Sequence, residues 1–320
     1  MTIRRPRVAT LAAALSLAAL ACAAPEPDAP APRVADPAPA ETAAPQAYVV
    51  DVVAEDYAFQ APDSIPSGWV TFRMQNEGEE THFIYLTRLT GGHTYEEYVT
   101  QVGAPIAELM DLQAAGELTQ AEVLEGLGTE IPAWYWTEAS PQGGPGMTAP
   151  GGISQATVQL EPGLYIMECF MKTPDGVLHW VEGMIRPLVV TTETSGAPAP
   201  TADLHMTLRA DAFIVDGELT PGVHTVALTF EEHPEVGFGN DVHLARLDPG
   251  MDAESLLPWL DFLNPHGLRN PAPVAFLGGS QERPEGNTLY FTVQLEPGRY
   301  AWTSEGPEAR RMVQEFTVPE

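Results

Sequence analysis

The chain reads as all-β: two Greek-key β-sandwiches in tandem, the first carrying a partly helical insertion. Three observations lead there. From Tyr48 onward, short runs rich in β-branched and aromatic residues alternate with turn signals such as Pro66-Ser67-Gly68, Asn76-Glu77-Gly78 and Glu161-Pro162-Gly163, the pattern of a sandwich. The second half then echoes the first, motif by motif and in the same order, which argues for two copies of one fold. Finally, two helix capping boxes, Thr94-Tyr95-Glu96-Glu97 and Thr119-Gln120-Ala121-Glu122, fall inside one long interruption of the first copy, residues 91–152. At 320 residues the chain is long enough for two sizeable cores.

The N-terminus carries Arg4, Arg5 and Arg7 before an apolar Ala/Leu run from Val8 to Ala21. That is the layout of an export signal, and the run is too short and too alanine-rich for a membrane-spanning helix. It ends Ala19-Leu20-Ala21-Cys22, which resembles a bacterial lipoprotein signal with alanine where leucine is usual. The resemblance implies cleavage after residue 21, lipidation at Cys22, and a periplasmic or envelope location with the lipid as the only membrane contact. An ordinary secretory peptide is the alternative. Residues 23–47 are Pro/Ala-rich with no periodic apolar face and read as an extended tether.

The first sandwich spans 48–191, with strands expected at Tyr48–Val53, Trp69–Gln75, His82–Thr87, Ala156–Leu160, Tyr165–Cys169 and Met184–Thr191. Helices are expected near 95–102, 105–115 and 120–126. The glycine-rich run 140–152 lacks the Lys-Ser/Thr end of a phosphate loop and opens no helix, so it has no nucleotide role. Residues 192–203 form a second linker, and 204–320 the second sandwich. There Asp56-Tyr57-Ala58-Phe59 returns as Ala210-Asp211-Ala212-Phe213, and Leu160-Glu161-Pro162-Gly163-Leu164-Tyr165 as Leu295-Glu296-Pro297-Gly298-Arg299-Tyr300. Arg88-Leu89 returns as Arg246-Leu247, with a helix start at the same distance beyond.

Lysine and arginine total 15 against 44 acidic residues, a formal charge of −29, and loss of the signal would leave the chain more acidic still. Such a field repels nucleic acid and anionic lipid and steers basic partners, of which a basic redox protein such as a cytochrome would be one. An acidic surface that serves only solubility or a saline habitat is the alternative. Of the two cysteines, Cys22 belongs to the signal. Cys169 is then a lone thiol in an oxidising compartment, with no disulfide partner.

Cys169 closes a strand-like run, a Pro174-Asp175-Gly176 turn follows, and His179 and Met184 come before the next apolar run. Thiolate, imidazole and thioether are soft or borderline ligands suited to copper in both Cu(I) and Cu(II) states. This segment resembles the metal loop of cupredoxins, the blue-copper proteins, in which Cys, His and Met follow one another between the last two strands. Pro162-Gly163-Leu164-Tyr165 ahead of the cysteine resembles them too, as does His82 after a turn with Asn76 and Gly78. The resemblance implies one mononuclear type 1 copper held by His82, Cys169 and His179 with Met184 as weak axial ligand, and one-electron transfer as the function. A polar Asn often follows the first histidine in the family, and here it is Phe83.

The second copy has Asn240 in the register of His82 and Ser304 in that of Cys169, and no histidine in Glu305–Arg311, so no second site of this kind is expected. Met312 does match Met184, which shows that a methionine here can also be core packing. The residues leave two other readings open. One is a metal-free cupredoxin-like binding lipoprotein. The other is copper delivery, storage or copper oxidoreductase chemistry, although the neighbours of Cys169 are Glu168 and Phe170, and none of the eight histidines forms a His-x-His pair. No catalytic residue is assigned.

Overall fold

Each half of the folded chain builds two sheets from eight strands by the same pairing scheme. The structure is a computed structural model, and its described residues are 46–235, 239–306 and 312–320. The signal 1–22 with Cys22, the tether up to residue 45 and the loop from 307 to 311 lie outside them. In the first half β1 (Val49–Glu55) runs parallel to β3 (Ser64–Asn76) and antiparallel to the short β2 (Ala58–Gln60). β3 continues antiparallel onto β6 (Ile153–Leu160), while its first residues run parallel to β8 (Ile185–Thr194). From β8 the second sheet proceeds through β7 (Gly163–Glu168) and β4 (Tyr85–Leu89) to β5 (Ala139–Pro141). Alternating buried positions on β1 and β6 supply the core between the sheets.

The second half repeats this with β9 (Leu204–Arg209), β10 (Ala212–Asp216), β11 (Gly222–Phe230) and β14 (Thr288–Leu295) in one sheet. Its other sheet is β13 (Ala275–Ser280), β12 (Val242–Arg246), β15 (Gly298–Thr303) and β16 (Val313–Val318). Even the register recurs. Val50 faces Phe72 as Leu204 faces Val226, Arg88 faces Tyr165 as Arg246 faces Tyr300, and Gly163 faces Val190 as Gly298 faces Val318. Tyr165 donates to the Glu161 carbonyl at 2.8 Å and Tyr300 to that of Glu296 at 2.9 Å, so the Glu-Pro-Gly-x-Tyr motif makes the same corner twice.

The halves are stitched together by backbone. β14 pairs antiparallel with β6, merging one sheet from each half. The glycine-rich run 140–152 threads between them: Gly146 N–H donates to Gly279 O at 3.1 Å, Gly278 N–H to Met147 O at 2.7 Å, and Ile84 N–H to Pro145 O at 3.0 Å. Its glycines serve this close approach, since a Cβ on Gly144 would fall on the Ile84 carbonyl oxygen.

Three local expectations are revised. The helices expected at 95–102 and 105–115 are one continuous run: α1 (Tyr95–Tyr98) widens into a π-helical turn (Val99–Gly103) and continues as α2 (Ala104–Ala114). Pro105 has no N–H to give, and the widened turn lets the helix pass it without a break. α3 (Gln120–Glu130) runs further than 126, and α4 (Ala133–Glu138) was not foreseen because its aromatic run Trp134-Tyr135-Trp136 has strand-like composition. His82 stands before β4 instead of opening it, in an isolated bridge with Thr148. The first half is thus mostly β with a helical insertion, and no described helix is long and apolar enough to cross a membrane.

Gly144 has φ of +133° beside the Ile84 carbonyl, whereas Gly151 has φ of +73° with open space around its Cα. Gly144→Ala is expected to cost about 2–4 kcal/mol through overpacking added to backbone strain, and Gly151→Ala only about 1–2 kcal/mol. Chemical denaturation of the two variants compares them directly, and equal losses would contradict the stitching role.

Candidate metal centre

The site lies where the segment before β4 meets the loop between β7 and β8. His82 is fixed by reciprocal backbone bonds with Thr148, at 3.2 and 2.8 Å. Asn76, at the end of β3, donates its side-chain amide to Glu80 O at 2.7 Å and Thr148 O at 2.8 Å, so the turn carrying His82 is tied to both its flanks. Cys169 directly follows β7, and its N–H donates to Met184 O at 3.1 Å. The Pro174-Asp175-Gly176 turn reverses the chain, and α5 (His179–Glu182) then starts at His179, whose carbonyl accepts from Met184 N–H at 2.9 Å. Met184 is therefore bound through its backbone to both loop ligands, with its side chain fully buried.

His82, Cys169 and His179 are all fully buried, and their ligand atoms lie within 4.8 Å of one another. The two imidazoles meet through Nδ1, 3.1 Å apart, and Cys169 Sγ is 3.6 Å from His179 Nδ1. The opposite nitrogens are each held by a carboxylate: His82 Nε2 is 2.6 Å from Asp56 Oδ1, and His179 Nε2 is 2.8 Å from Glu80 Oε2. Tyr57 donates to the other oxygen of Glu80 at 2.9 Å and covers the His179 ring at 4.8 Å between centroids. Gly78 makes room for this, because a Cβ there would strike Asp56 Oδ1 and lie 2.8 Å from His82 Nε2.

The chemistry of this donor set fits a soft or borderline cation. A carboxylate accepts only, so each Nε2 carries the proton and each Nδ1 presents a lone pair inward. Two lone pairs then face each other, with the Cys169 thiol as the one proton source the ligand set itself offers. Burial lowers the pKa of both histidines; His179 falls to about 2, helped by its neighbour His82, while Asp56 partly opposes the fall at His82. Burial pushes the Cys169 thiol far up, against backbone N–H donors of Phe83 and Met171 that favour the thiolate. Neutral imidazoles and a sulfur already met by two N–H groups are what a cation at the centre requires.

The second half closes the site from above, which the sequence did not disclose. Asn270 accepts from Thr81 N–H at 2.9 Å, donates to Lys172 O at 3.1 Å, and lies 3.4 Å from His179 Nε2. It thereby joins the His82 turn to the cysteine loop, a link that Phe83 cannot make with its side chain. Lys172, buried within the loop, donates to Phe262 O and Asn264 O, each at 2.9 Å. Asp56 and Glu80 were missed as well. The repeat held a signal for one of them, since Asp56 registers with Ala210 and is present only in the copy that has His82.

In the second half Asn240 donates to Arg209 O at 2.7 Å and Ser304 to Asp241 Oδ1 at 2.9 Å, so the positions of His82 and Cys169 serve packing. A different group, Asp241, His243 and Glu305, is clustered there and buried. His243 Nδ1 accepts from Met147 N–H at 3.1 Å, which places its proton on Nε2 facing the two carboxylates. It has no lone pair to lend a metal there, in contrast to His82 and His179. His93 stacks on Trp134 at 3.9 Å between ring centroids.

No protein-family model matches the chain, and no curated protein matches it in sequence. Among solved structures it is similar to a dithionite-reduced auracyanin from Roseiflexus castenholzii (17% identity, TM-score 0.26, covering 46% of this chain and 99% of that one). It is similar also to auracyanin A, a "blue" copper protein of Chloroflexus aurantiacus (15%, 0.26, 46% and 100%). A third likeness is to the copper-containing nitrite reductase of Thermus scotoductus (11%, 0.21, 85% and 61%). At that degree of overlap the likenesses carry no part of the assignment, which stands on the site itself.

Two outcomes are expected. Asp56→Asn and Glu80→Gln should each weaken copper retention about 10–100-fold, the usual scale for a group that orients a ligating histidine; competition with a chelator measures this, and unchanged affinity would contradict the role. The second concerns Glu168, whose carboxyl burial raises to about 8 from 4.5. The folded chain keeps a proton there that the unfolded chain has released, so stability falls as pH rises through that window, by about 1.4 kcal/mol per unit for one group. His82 and His179, which burial lowers, act in the opposite sense and only below 6.5; His243, raised to about 9 against its burial by Asp241 and Glu305, acts in the same sense as Glu168. Denaturation of the metal-free protein between pH 7 and 8 should show the decline, and Glu168→Gln should make it shallower, leaving the part that His243 contributes.

Proposed function

We propose that the chain is an exported one-electron carrier that binds a single type 1 copper in the first of two tandem cupredoxin-like sandwiches. The observation that carries this is the convergence of His82 Nδ1, His179 Nδ1 and Cys169 Sγ in a dry pocket, with both Nε2 atoms held from behind. Copper bound there would supply a couple between Cu(I) and Cu(II). Cys169 would give the thiolate, His82 and His179 the two imidazoles, and Met184 the weak axial sulfur. Asp56 and Glu80 keep the protons on Nε2, while Tyr57 and Asn270 exclude water and hold the rings still. A rigid ligand set of this kind suits both oxidation states, because little has to move when the charge changes.

Complete burial of the histidines supports a carrier over a catalyst, since a substrate would need an open coordination position. It also favours electron transfer over copper delivery, which needs a route for the ion to leave. The envelope location, the lipid at Cys22 and a basic partner such as a cytochrome belong to the same proposal and rest on the sequence. So does the view of the second sandwich as scaffold or docking module.

Copper addition and oxidation of the purified protein tests the site. The expected result is one copper per chain and an intense thiolate-to-copper band in the visible, abolished by Cys169→Ala. A protein that binds no copper and shows no band would instead be a metal-free sandwich with Cys169, His179 and Met184 as core.

A further inference from the structure

On the far side of Cys169 from the copper ligands, between the two halves, lies a cavity of about 70 Å³. Glu168 and Phe170, the two neighbours of the cysteine, line it, because successive residues of an extended chain point to opposite sides. At roughly 10–15 Å³ per water the space takes about five waters, or an ion of about five non-hydrogen atoms. Among the described residues its wall carries four carboxyl groups, Glu168, Asp241, Glu282 and Glu305, and no basic side chain. Three wall residues hold buried polar atoms without a hydrogen-bond partner: Oε2 of Glu168, both amide atoms of Gln281, and Nε1 of Trp180. Groups of this kind are costly to bury unless something meets them.

Most of the remaining wall is aromatic. Tyr98 donates to Glu168 Oε1 at 2.6 Å and Tyr85 to Glu282 Oε1 at 2.6 Å, so each phenol braces a carboxylate while its ring stays on the wall. Tyr135, Phe170, Phe262 and Trp180 complete it. Acidic groups spread among aromatic faces match an organic cation, which takes the place of the proton that Glu168 otherwise keeps, releasing it to solvent, and gains from the ring quadrupoles as well. A bare metal ion is matched less well. Among the described residues, neither Glu168 nor Glu282 belongs to a triad within coordinating distance, and the triad that exists spends His243 as a proton donor.

We propose that this cavity is a binding site for a small alkylammonium ion, held by Glu168 and Glu282 and enclosed by the tyrosine and phenylalanine rings. The site is independent of the copper reading, and its test uses copper-free protein. Tetramethylammonium chloride is titrated into the full chain by calorimetry, with sodium chloride at matched ionic strength and tert-butanol, a neutral ligand of similar size, in parallel. Saturable binding at one site per chain by tetramethylammonium alone is expected. Glu168→Gln and Glu282→Gln should each weaken it about tenfold or more, the scale of one contact to a charged group. Absence of saturation in the wild-type protein overturns the proposal whatever the variants do. Equal binding of tert-butanol would overturn the charge recognition, and displacement by Mn²⁺ with loss in Asp241→Asn would make this a metal site instead.

Discussion

Two imidazoles brought nose to nose in a dry interior set the terms for everything around them. His82 and His179 approach through Nδ1 at 3.1 Å, an arrangement that two neutral acceptors do not choose unless something else holds them there. Asp56 and Glu80 do so from behind, and each of these needs its own support. Gly78 yields space for Asp56, Tyr57 caps Glu80, and the Thr148 bridge fixes the backbone of His82. Cys169 is brought in by the last two strands of the same sandwich, and the turn at Gly176 lets His179 return over it. The result is a constellation whose geometry exists before any ion enters. That is the physical condition for binding copper without forcing the ion's preferred shape.

The two halves show how one fold can keep its frame and change its chemistry. Strand registers coincide down to the residue pairs, and both tyrosine corners are present. Apart from the helical insertion, the differences that matter for the site lie at the ends of the strands. Asp56 registers with Ala210, His82 with Asn240 and Cys169 with Ser304, so the ligand set and one of its supports are missing together from the second copy. In exchange that copy contributes Asn270 and the carbonyls that receive Lys172. The second sandwich therefore takes part in closing the first one's site.

Much of this was legible in the sequence, and the limits of that legibility have physical causes. Turn signals and alternation placed six of the eight strands of the first half near their observed positions, because those patterns are local; β2 and β5, three residues each, are too short to show one. The soft donors Cys169, His179 and Met184 were readable because they lie in one loop and Cys169 is the one cysteine of the chain beyond its N-terminal segment. His82 was readable from the turn before it. Asn270 was not, since it arrives from a loop 91 residues beyond His179 and nothing in its own neighbourhood marks it. Nor was the use of residues 140–152, whose glycines look like those of any loop until the backbones they let together are seen. The continuity of the helix past Pro105 was hidden for a similar reason, as proline ends most helices and the π-helical escape has no sequence mark.

X-ray absorption at the copper edge, on the copper-loaded protein, tests the central claim most directly. The account predicts an inner shell of one sulfur and two nitrogens, with the sulfur lost in Cys169→Ser and a nitrogen lost in His82→Ala. A shell of nitrogen and oxygen alone, unchanged by either substitution, would contradict it and place any bound copper elsewhere on the acidic chain.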